Sequence, residues 1–443
     1  MKIKASKYTH RTLLRFVIEA DGPLAVGSGE KNILTDACVA LDVNGLPYIP
    51  GTSIAGVLRH AMPENKELWG YQEKDKGHGS EIIISEAKVI NSNGAVVDGI
   101  GYNENDDVLK AYKMLPIRQH VRINERGTTD KGGKFDNQVV LAGSRFCFEI
   151  EILSDKEEKS LADQIVTAVS SKSFRLGSGT RNGYGQIKVI EYYVKALDLT
   201  EDEERKLYLA KSSRLDNKEW WGEPDKTDTP STEEGATVYK LELTPRDFFL
   251  FGSGMNDFEN DADMAPVLEK KIEWTDSRGN VADKLTLIPA TSVKGALRHR
   301  TTYHYNKLIG NYADKKKDDA DTEEAIGKLF GNNGDKLSRG NLLFSDVYLK
   351  NAKGKLMNHV SIDRFTGGAI DGALFSEYVS YAKDKFTLEI VLTTEPGKEK
   401  LEEALELALK DICKGMLPLG GGVNRGNGMF NGKLFKDGKE IEL

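Results

Sequence analysis

An internal repeat constrains the fold of this chain more than any other feature. Residues 49–60 read IPGTSIAGVLRH and residues 288–299 read IPATSVKGALRH, so eight of twelve positions are identical at an offset of 239. Repeated landmarks in one order predict two copies of a single domain. The other pairs, in chain order, are GSG with GSG, LWG with LFG, SEIIISEA with GNLLFSDV, HVRIN with HVSID, and LGSGTRNGYG with LGGGVNRGNG.

The repeat divides the chain into two domains and a connector. We expect a first domain at 1–196, an acidic connector at 197–236 and a second domain at 237–443. The segment NKEWWGEPDKTDTPSTEE within the connector carries six acidic and two basic residues. The alternative is an ordered pad between the domains, anchored by Trp220 and Trp221.

Each copy predicts the same succession of strands and helices. HRTLLRFVIEA and ATVYKLELTP alternate apolar and polar residues, so each copy opens with a strand. A helix follows each dodecamer, a second helix precedes each final strand, and the resulting β-α-β-β-α-β order is the ferredoxin-like plan of an α+β fold with inserted hairpins. RNA-recognition folds share this plan.

The helix ends carry candidate capping residues. Threonine and serine stand two and three residues after Pro50 and Pro289 and are good N-cap residues: Thr52, Ser53, Thr291 and Ser292. Ser154 and Glu157 have the spacing of a capping box. Apolar residues fall on one side of each later helix: Leu161, Ile165 and Val169 in the first copy, and Leu401, Leu405, Ala408 and Ile412 in the second.

Composition narrows the class of protein. The net charge is −7, which counts against nucleic-acid binding on a global view, but Arg and Lys recur inside the repeated motifs. Cys38, Cys147 and Cys413 show no CxxC spacing, so they predict neither a disulfide framework nor a zinc site and fit a reducing cytoplasm. The sequence has no apolar run long enough for a transmembrane helix and no secretion signal at its N-terminus.

Three kinds of motif are candidates for binding a nucleic acid. The first is the helix N-terminus after each dodecamer proline, because helix N-termini bind phosphate well. The second is the pair of Gly-rich loops, whose glycines let the backbone approach a ligand. The third is the pair of HVRIN and HVSID segments, which predict projecting hairpins with Phe135 and Phe375 on the returning strands. The purely structural alternatives for these three motifs are, in the same order, a capped helix, a tight turn and a solvent-exposed hairpin. Neither Gly-rich segment fits the GxxxxGK[ST] phosphate loop. The candidate RNA-binding residues are Ser53, Arg59, His60, Arg118, Arg122, Arg126, Arg181, Ser292, Lys294, Arg298, His299, Arg364 and Arg425.

This set of motifs, in this order, resembles the RAMP superfamily of CRISPR-associated proteins. The family carries an I-P-G-[ST]-[ST] stretch that ends in Arg, an F-G followed by an S-x-hydrophobic-acidic strand, and a C-terminal Gly-rich loop. The HVxI[ND] hairpins resemble those of the backbone subunits of type III effector complexes, and a fused pair resembles the double-backbone subunit of type III-D systems.

The resemblance implies a function in antiviral defence. Backbone subunits of this kind line up on a guide RNA (crRNA) beside other CRISPR effector subunits, and their hairpins kink the guide–target duplex. A loop aspartate at each kink supports cleavage of target RNA with Mg²⁺ or another divalent cation. The resemblance places that aspartate at Asp36, three residues before Val39. In the second copy it implies Asp263, one position off by the same spacing, or Asp261, which matches by its distance from GSG.

Two other functions remain open at this point. The chain could be a non-catalytic RNA scaffold, with cleavage elsewhere in its complex, or an endoribonuclease that processes guide precursors alone. Guide-processing relatives use a histidine for acid–base work, and His60, His299, His120 and His359 recur in both copies. Hydrogen-bonding structural roles are the alternative for these four residues. No membrane partner is expected.

Overall fold

A computed structural model describes most of the chain. The described residues are 8–29, 35–64, 68–73, 76–124, 128–225, 235–256, 259–275, 277–312, 320–332, 338–394, 397 and 399–443. Within them, no helix combines the length and the apolar character that crossing a membrane needs. The three cysteines are unpaired.

The first domain follows the expected order of strands and helices. Its elements are β1 (His10–Ala20), α1 (Gly51–Ala61), β2 (Tyr71–Glu73), β3 (Lys76–His78), β4 (Ile82–Ile84), β5 (Lys88–Val89), α2 (Asp107–Tyr112), β6 (Ile117–Ile123), β7 (Thr129–Gln138), β8 (Arg145–Ser154), α3 (Lys159–Ser170) and β9 (Ile187–Asp198). Strand β9 ends two residues beyond the predicted boundary at 196.

The connector and the second domain complete the chain. The connector contains α4 (Asp202–Leu209) and a 3₁₀ turn at Glu219–Trp221. The second domain contains β10 (Thr237–Pro245), β11 (Leu268–Thr275), β12 (Arg278–Ile288), α5 (Ala290–Ile309), α6 (Ala320–Phe330), β13 (Leu342–Phe344), β14 (Val347–Leu349), β15 (Lys353–His359), β16 (Phe375–Tyr381), β17 (Phe386–Leu392), α7 (Glu399–Cys413), a 3₁₀ turn at Val423–Arg425, β18 (Phe430–Lys436) and β19 (Lys439–Ile441).

The two central sheets have the same topology, which confirms the α+β, ferredoxin-like prediction. The first sheet has the order β4-β8-β1-β9 and the second has the order β13-β17-β10-β18, with β19 added at its edge. All of these pairs are antiparallel. In both domains the first and third core strands therefore lie side by side at the centre, as the ferredoxin-like plan requires.

Each sheet packs its inner face on its own helices. Leu14, Phe16 and Ile18 of β1 are fully buried against α3, where Leu161, Ile165 and Val169 face the core as predicted. In the second domain the predicted apolar side of α7 is buried against β10 and its neighbours. The capping predictions are wrong, because the helices start earlier or later than the candidate caps.

The helix starts show why those capping predictions fail. Pro50 and Pro289 occupy the N-cap positions themselves, and the carbonyl of Pro50 accepts from the backbone N–H of Ser53. The serine therefore lies inside the first turn. Ser154 lies at the end of β8, and its hydroxyl donates to the Lys156 carbonyl 2.6 Å away, since α3 begins only at Lys159.

Residues 199–225 of the connector form an ordered pad rather than a loose linker. Trp221 is 3% exposed and packs with Leu13, Tyr193 and Leu197 on the outer face of the first sheet. The guanidinium of Arg15 donates to the Leu215 carbonyl at 2.6 Å and to Glu149 at 2.8 Å. Residues 226–234 lie outside the described residues.

The longer segment of the second copy becomes an arm. Strands β11 and β12 pair as a hairpin, and this arm (268–288) reaches the first domain. Ile272 is 1% exposed within the first-domain core, and its N–H donates to the Ala142 carbonyl at 2.9 Å. The Trp274 indole donates to the Gly143 carbonyl at 2.7 Å and lies under Arg145.

Candidate nucleic-acid interface and loop aspartates

Asp36 and Asp263 are both exposed on loops, and each loop is bonded to the returning strand of a projecting hairpin. The Asp36 carboxylate accepts from the Asp136 N–H at 3.2 Å, and the Asp36 N–H donates to the Asp136 carboxylate at 2.8 Å. The Asp263 carboxylate accepts from the Ser376 N–H at 2.8 Å, and the Asp263 N–H donates to the Ser376 hydroxyl at 3.1 Å. Each aspartate is thereby fixed beside β7 or β16.

Backbone hydrogen bonds show that Asp263 is the counterpart of Asp36. The N–H of Gln138 donates to the carbonyl of Ala37 at 3.0 Å, and the N–H of Tyr378 donates to the carbonyl of Met264 at 2.8 Å. Ala37 and Met264 each directly follow the aspartate. The same reciprocal arrangement therefore recurs in both domains.

Counting three residues back from Val267 placed Asp263 one position off, because Val267 is not the structural counterpart of Val39. Val39 forms an isolated bridge with Gly27, and its structural counterpart Pro266 forms the same bridge with Gly252. Measured to Pro266, Asp263 keeps the three-residue spacing that Asp36 has to Val39. The backbone of Asp261 lies at φ 53°, and its carbonyl, rather than its carboxylate, accepts from the Ser376 hydroxyl at 3.2 Å.

The oxygen donors near the two aspartates differ. Asp36 has a second carboxylate beside it, Asp136, whereas Asp263 has the hydroxyl of Ser376. Carboxylate and hydroxyl oxygens suit Mg²⁺, which keeps several water or phosphate ligands of its own. Among the described residues, no group of three or more His, Cys, Asp or Glu side chains is placed to hold a metal ion. The donor sets therefore fit a hydrated ion, and the first-domain set supplies more charge.

The two hairpins share a local design that involves the repeated histidines. His120 stacks on Phe135 with ring centroids 4.8 Å apart, and His359 stacks on Phe375 at 4.9 Å. His120 Nε2 lies 2.8 Å from the Tyr184 hydroxyl, and burial, followed by the charge of Arg118, lowers the pKa of His120. Both histidines thus stack on an aromatic ring of the returning strand, and His120 also contacts the adjacent Gly-rich loop through Tyr184.

The counterpart of the Tyr184 contact in the second domain is a charged cluster. Glu377 of β16 is fully buried, and its carboxylate contacts the Arg425 guanidinium and lies 3.1 Å from His359 Nε2. Arg425 also lies over the Phe375 ring. This arrangement favours the structural interpretation of His120 and His359.

Basic side chains from both domains meet where the first Gly-rich loop faces α5. This junction cluster consists of His60, Arg122, Arg181, Lys294, Arg298 and Arg339. Its central members donate to neutral acceptors: Lys294 to the Asn182 side chain at 3.0 Å, Arg181 to the Gly340 carbonyl at 3.0 Å, and Arg298 to the Gly331 carbonyl at 2.6 Å. These bonds orient the cations without neutralising them, although the Glu323 carboxylate partly offsets the charge of Arg298.

The charges of the junction cluster repel one another. Burial, followed by the charges of Arg298 and Arg181, lowers the pKa of Lys294 to about 8. Burial, followed by Arg339 and Arg175, lowers the pKa of Arg181 to about 10. Partly buried cations that lower each other's pKa favour a bound anion, because an anion relieves both the repulsion and the loss of hydration. A phosphate backbone is such an anion.

Arg118 was predicted to bind RNA, and that prediction is wrong. Its side chain is 7% exposed and bonds to Glu269 at 2.5 Å and to Asp346 at 2.6 Å, both in the second domain. Burial alone would lower the pKa of Arg118, but the Asp346 and Glu269 carboxylates outweigh it and hold that pKa above its usual value. Arg118 therefore joins the two domains.

The two helix tips differ in their access to a ligand. At α5, Ala290 is fully buried and its N–H donates to the Asp346 carboxylate at 2.7 Å, so the tip that carries Ser292 is already occupied. The Asp346 carboxylate would therefore compete with a phosphate for the first N–H of α5, while Ser292 itself is half-buried. At α1, Gly51 and Ser53 are half-buried and Thr52 is exposed, which leaves this tip at the surface.

The remaining predicted residues are distributed over the surface. Arg59 and His299 are exposed on α1 and α5, and Arg364 is exposed in the second hairpin. Arg126 lies outside the described residues. Asp136 and Arg339 were missed because neither recurs in the other copy, where Ser376 and Gly79 stand at the matching positions.

Comparisons with known proteins agree with the repeated fold. The family model of the RAMP superfamily matches residues 17–188 and 249–431, one match in each domain. The CRISPR system Cms endoribonuclease Csm3 of Methanocaldococcus jannaschii is 29% identical over 196 residues, which cover 40% of this chain and 78% of that relative. Because the family model covers well over half of the sequence, the chain belongs to the RAMP superfamily.

Proposed function

We propose that the chain is a double-backbone, RNA-binding subunit of a type III CRISPR effector complex that cleaves target RNA paired to a guide. The observation that carries this proposal is the identical placement of Asp36 and Asp263 against β7 and β16. Two equivalent aspartates on loops beside two projecting hairpins fit two cuts in one target strand. The name of the Csm3 relative, an endoribonuclease, supports the same class of reaction.

The junction cluster supports the RNA-binding part of the proposal. Arg181 comes from the first domain, whereas Lys294 and Arg298 come from the second, so one strand lying across the junction would contact both domains. Contacts to phosphates do not read the sequence, and specificity then comes from base pairing with the guide, as in other guided systems. The overall charge of −7 makes this local concentration of cations the more significant.

The cleavage chemistry requires little from the protein beyond geometry. RNA supplies its own nucleophile: the 2′-oxygen forms a bond to the adjacent phosphorus, and the bond from phosphorus to the 5′-oxygen breaks. A hairpin that holds the RNA strand in a kink aligns these atoms, and this alignment alone lowers the activation free energy of cleavage substantially. The carboxylate of Asp36 or Asp263 can accept the proton that leaves the 2′-hydroxyl, and the departing 5′-oxygen takes a proton from water.

A divalent cation would be held by Asp36 with Asp136, and by Asp263 with Ser376. When bound, such an ion stabilises negative charge on the reacting phosphate. Both donor sets leave most ligand positions to water and phosphate oxygens. We therefore expect a weakly bound ion that arrives with the RNA.

Single substitutions of the two aspartates in the assembled complex test the proposal. Asn keeps the oxygen that accepts from the hairpin N–H but cannot take up a proton, so Asp36→Asn should remove one cut and Asp263→Asn the other, each by about 10²–10⁴-fold. Complementary RNA, Mg²⁺ and gel resolution of the products give the measurement. Asp261→Asn is the matched control and should leave both cuts.

Other outcomes would contradict the proposal in different ways. Full cleavage by the Asp36→Asn, Asp263→Asn double variant, with unchanged guide and target binding, would make the chain a scaffold. Cleavage of a guide precursor by the purified chain alone would make it a processing enzyme.

A further inference from the structure

The second domain contains a cleft with charged and aromatic walls. It lies between the end of β10 and the base of the hairpin formed by β15 and β16, where Lys353 pairs with Tyr381. Its volume of about 580 Å³ falls within the range of about 300–1,000 Å³ that small-ligand sites occupy. We name it the hairpin-base cleft; its charged and aromatic lining residues are Arg246, Asp247, Phe248, Lys355, Tyr381 and Lys383.

Three cations line this cleft. Arg246, Lys355 and Lys383 are all exposed. Within the part of the chain that the structure describes, none of the three forms an ion pair with a carboxylate. Unpaired charges of one sign around a concave surface concentrate the potential there. The hairpin-base cleft therefore attracts an anion.

Two aromatic rings form the apolar part of the cleft. Phe248 and Tyr381 are half-buried and pack edge to face, with ring centroids 5.9 Å apart. The Lys355 ammonium lies over the Phe248 ring, 5.3 Å from its centroid. Sites for single-stranded nucleic acids combine these two elements, because bases stack on aromatic rings while phosphates contact the cations.

Backbone hydrogen bonds hold the walls of the cleft in place. The Arg246 N–H donates to the Met429 carbonyl at 2.9 Å, and the Gly428 N–H donates to the Phe248 carbonyl at 2.8 Å. Phe249 and Ser380 exchange N–H to carbonyl bonds, each at 2.9 Å. Both rings are thus attached to a fixed backbone, which lowers the cost of ordering the site when a ligand binds.

The first domain lacks these lining residues. Its bridge between Leu24 and Val140 corresponds to the bridge between Phe249 and Ser380, which fixes the matching positions. The residues that stand in place of Arg246, Phe248, Tyr381 and Lys383 are Asp21, Pro23, Leu141 and Gly143. The cations and rings of the cleft are therefore specific to the second domain and are not a consequence of the repeated fold.

In the first domain the arm covers the matching place. The Ile272 N–H donates to the Ala142 carbonyl at 2.9 Å, and a Cβ atom on Gly143 would clash with the Ile272 carbonyl. Lys383 carries such a Cβ atom where the first domain has Gly143. An arm docked in the same way is therefore excluded from the second domain, and the cleft is open to another kind of ligand.

We propose that the hairpin-base cleft binds a nucleotide of a single-stranded RNA. The base lies against Phe248 and Tyr381, and the phosphates contact the three cations. This inference rests on the proposed function and adds a site to it. Ser376, which bonds to Asp263, precedes Tyr381 by five residues on β16, a distance of about 17 Å along the strand. Unpaired RNA that continues past the second cut can therefore reach the cleft.

The carboxylate of Asp247 favours RNA over an acidic peptide as the ligand. Asp247 is exposed and lines the same cleft as the three cations. It would repel the carboxylates of a peptide. A nucleobase, in contrast, offers amino groups that a carboxylate accepts from. A nucleotide thus satisfies the cations, the rings and the carboxylate together.

The first test places a photo-reactive p-azidophenylalanine at position 381, which keeps an aromatic ring in the cleft. Effector complexes are assembled with guide and target RNA that carry different labels. We expect a cross-link to RNA, and the label identifies the strand. The same residue at position 303 is the control, because Tyr303 is 54% exposed on α5 and is not a lining residue of the cleft. A cross-link only to a neighbouring protein, or equal RNA cross-links at both positions, would overturn the inference.

The second test measures the affinity of the purified full-length chain for a short fluorescent oligoadenylate. Tyr381→Leu introduces the residue of the first copy and should weaken binding by about tenfold, whereas Tyr381→Phe keeps the ring and should bind like the unaltered chain. An equal loss in the two variants would contradict stacking on this ring.

Exposed cations give a variant that should not disturb folding. Arg246→Ala with Lys383→Ala should flatten the dependence of log affinity on log salt by about 0.7 for each lost phosphate contact. Lys414→Ala with Lys439→Ala removes two exposed lysines of the same domain and should leave the slope unchanged. Equal slopes in the two double variants would overturn the inference.

The outcomes separate this inference from the proposed function. A complex that cross-links RNA at position 381 but cleaves no target would contradict the proposed function and support this site. A complex that cleaves at both positions without any RNA cross-link at position 381 would contradict this inference alone.

Discussion

The two domains build the same sheet from the same strand order, yet their surroundings differ. In the first domain the outer face of β1 is covered by the connector pad, which buries Leu13 and Arg15. In the second domain the corresponding strand β10 keeps Lys240 exposed. The comparison shows that the repeat determines the inner core, whereas the position of each copy along the chain determines what covers its outside.

The difference extends to the surfaces that carry function. The first domain holds the second through Arg118 and Arg175, whereas Met357 and Pro418 stand at the matching positions of the second domain. Near the loop aspartates, Asp136 of the first domain is replaced by Ser376. Substitutions that convert one domain toward the other therefore measure how much each difference matters.

The largest effect on stability is expected at the ion pairs that Arg118 forms with the second domain. Arg118→Met gives the first domain the residue of the second and leaves Glu269 and Asp346 buried without their cation, which should cost about 3–5 kcal/mol in the free energy of unfolding. Denaturant unfolding of the full chain gives the measurement. Met357→Arg, the reverse change at the partly exposed counterpart, should stay within about 0.5 kcal/mol. Equal effects of the two changes would mean that the domains do not depend on this contact.

The next effect concerns RNA affinity at the junction cluster. Arg181→Asn and Lys294→Ala each introduce the residue of the other copy, so the double variant should bind guide RNA more weakly. The dependence of log affinity on log salt should flatten by about 0.7 for each lost phosphate contact. Lys350→Ala removes an exposed lysine that pairs with Glu273 and should leave the slope unchanged. A slope that does not change in the double variant would exclude the cluster from the RNA path.

Lys294 should also make binding depend on pH. Because the pKa of Lys294 is lowered to about 8 from 10.5, the unfolded chain holds a proton that the folded chain has lost between these values, and stability should rise with pH across that window. A bound phosphate favours the charged amine, so RNA affinity should fall as the pH rises through 8. Lys294→Met should abolish that fall, which binding titrations between pH 7 and 9 would measure. A fall that persists in the variant would assign it to another group.

The smallest effect is expected at the residue beside each aspartate. Asp136→Ser should make the first cut require more Mg²⁺, and Ser376→Asp should make the second cut require less, each by a few-fold, since each added carboxylate strengthens a hydrated-ion site only modestly. Titration of Mg²⁺ with separate quantification of the two products is the measurement. Shifts in the opposite direction would show that Asp136 repels the substrate phosphate instead of helping to hold an ion.

Much of the fold was predictable because it depends on local patterns. The alternation in β1 and β10 and the apolar sides of α3 and α7 are properties of short segments, and the structure keeps them. The helix starts were mispredicted, because a proline at the N-cap fixes the boundary before the serine that would otherwise cap it. Asp36 could be placed from its spacing, whereas the counterpart Asp263 needed the bridge between Gly252 and Pro266.

The sequence by itself determined that two copies of one ferredoxin-like domain follow each other. The reason is that the same pattern of apolar residues and glycines builds the same kind of core in each copy. The tertiary structure alone decided which polar residues remain exposed and which face the other domain. Arg118 and Arg122 lie four residues apart on one strand, yet Arg118 is buried between domains and Arg122 is exposed at the junction cluster. The physical reason is that the interaction free energy of a charged side chain depends on the groups next to it. Those groups come from distant parts of the chain.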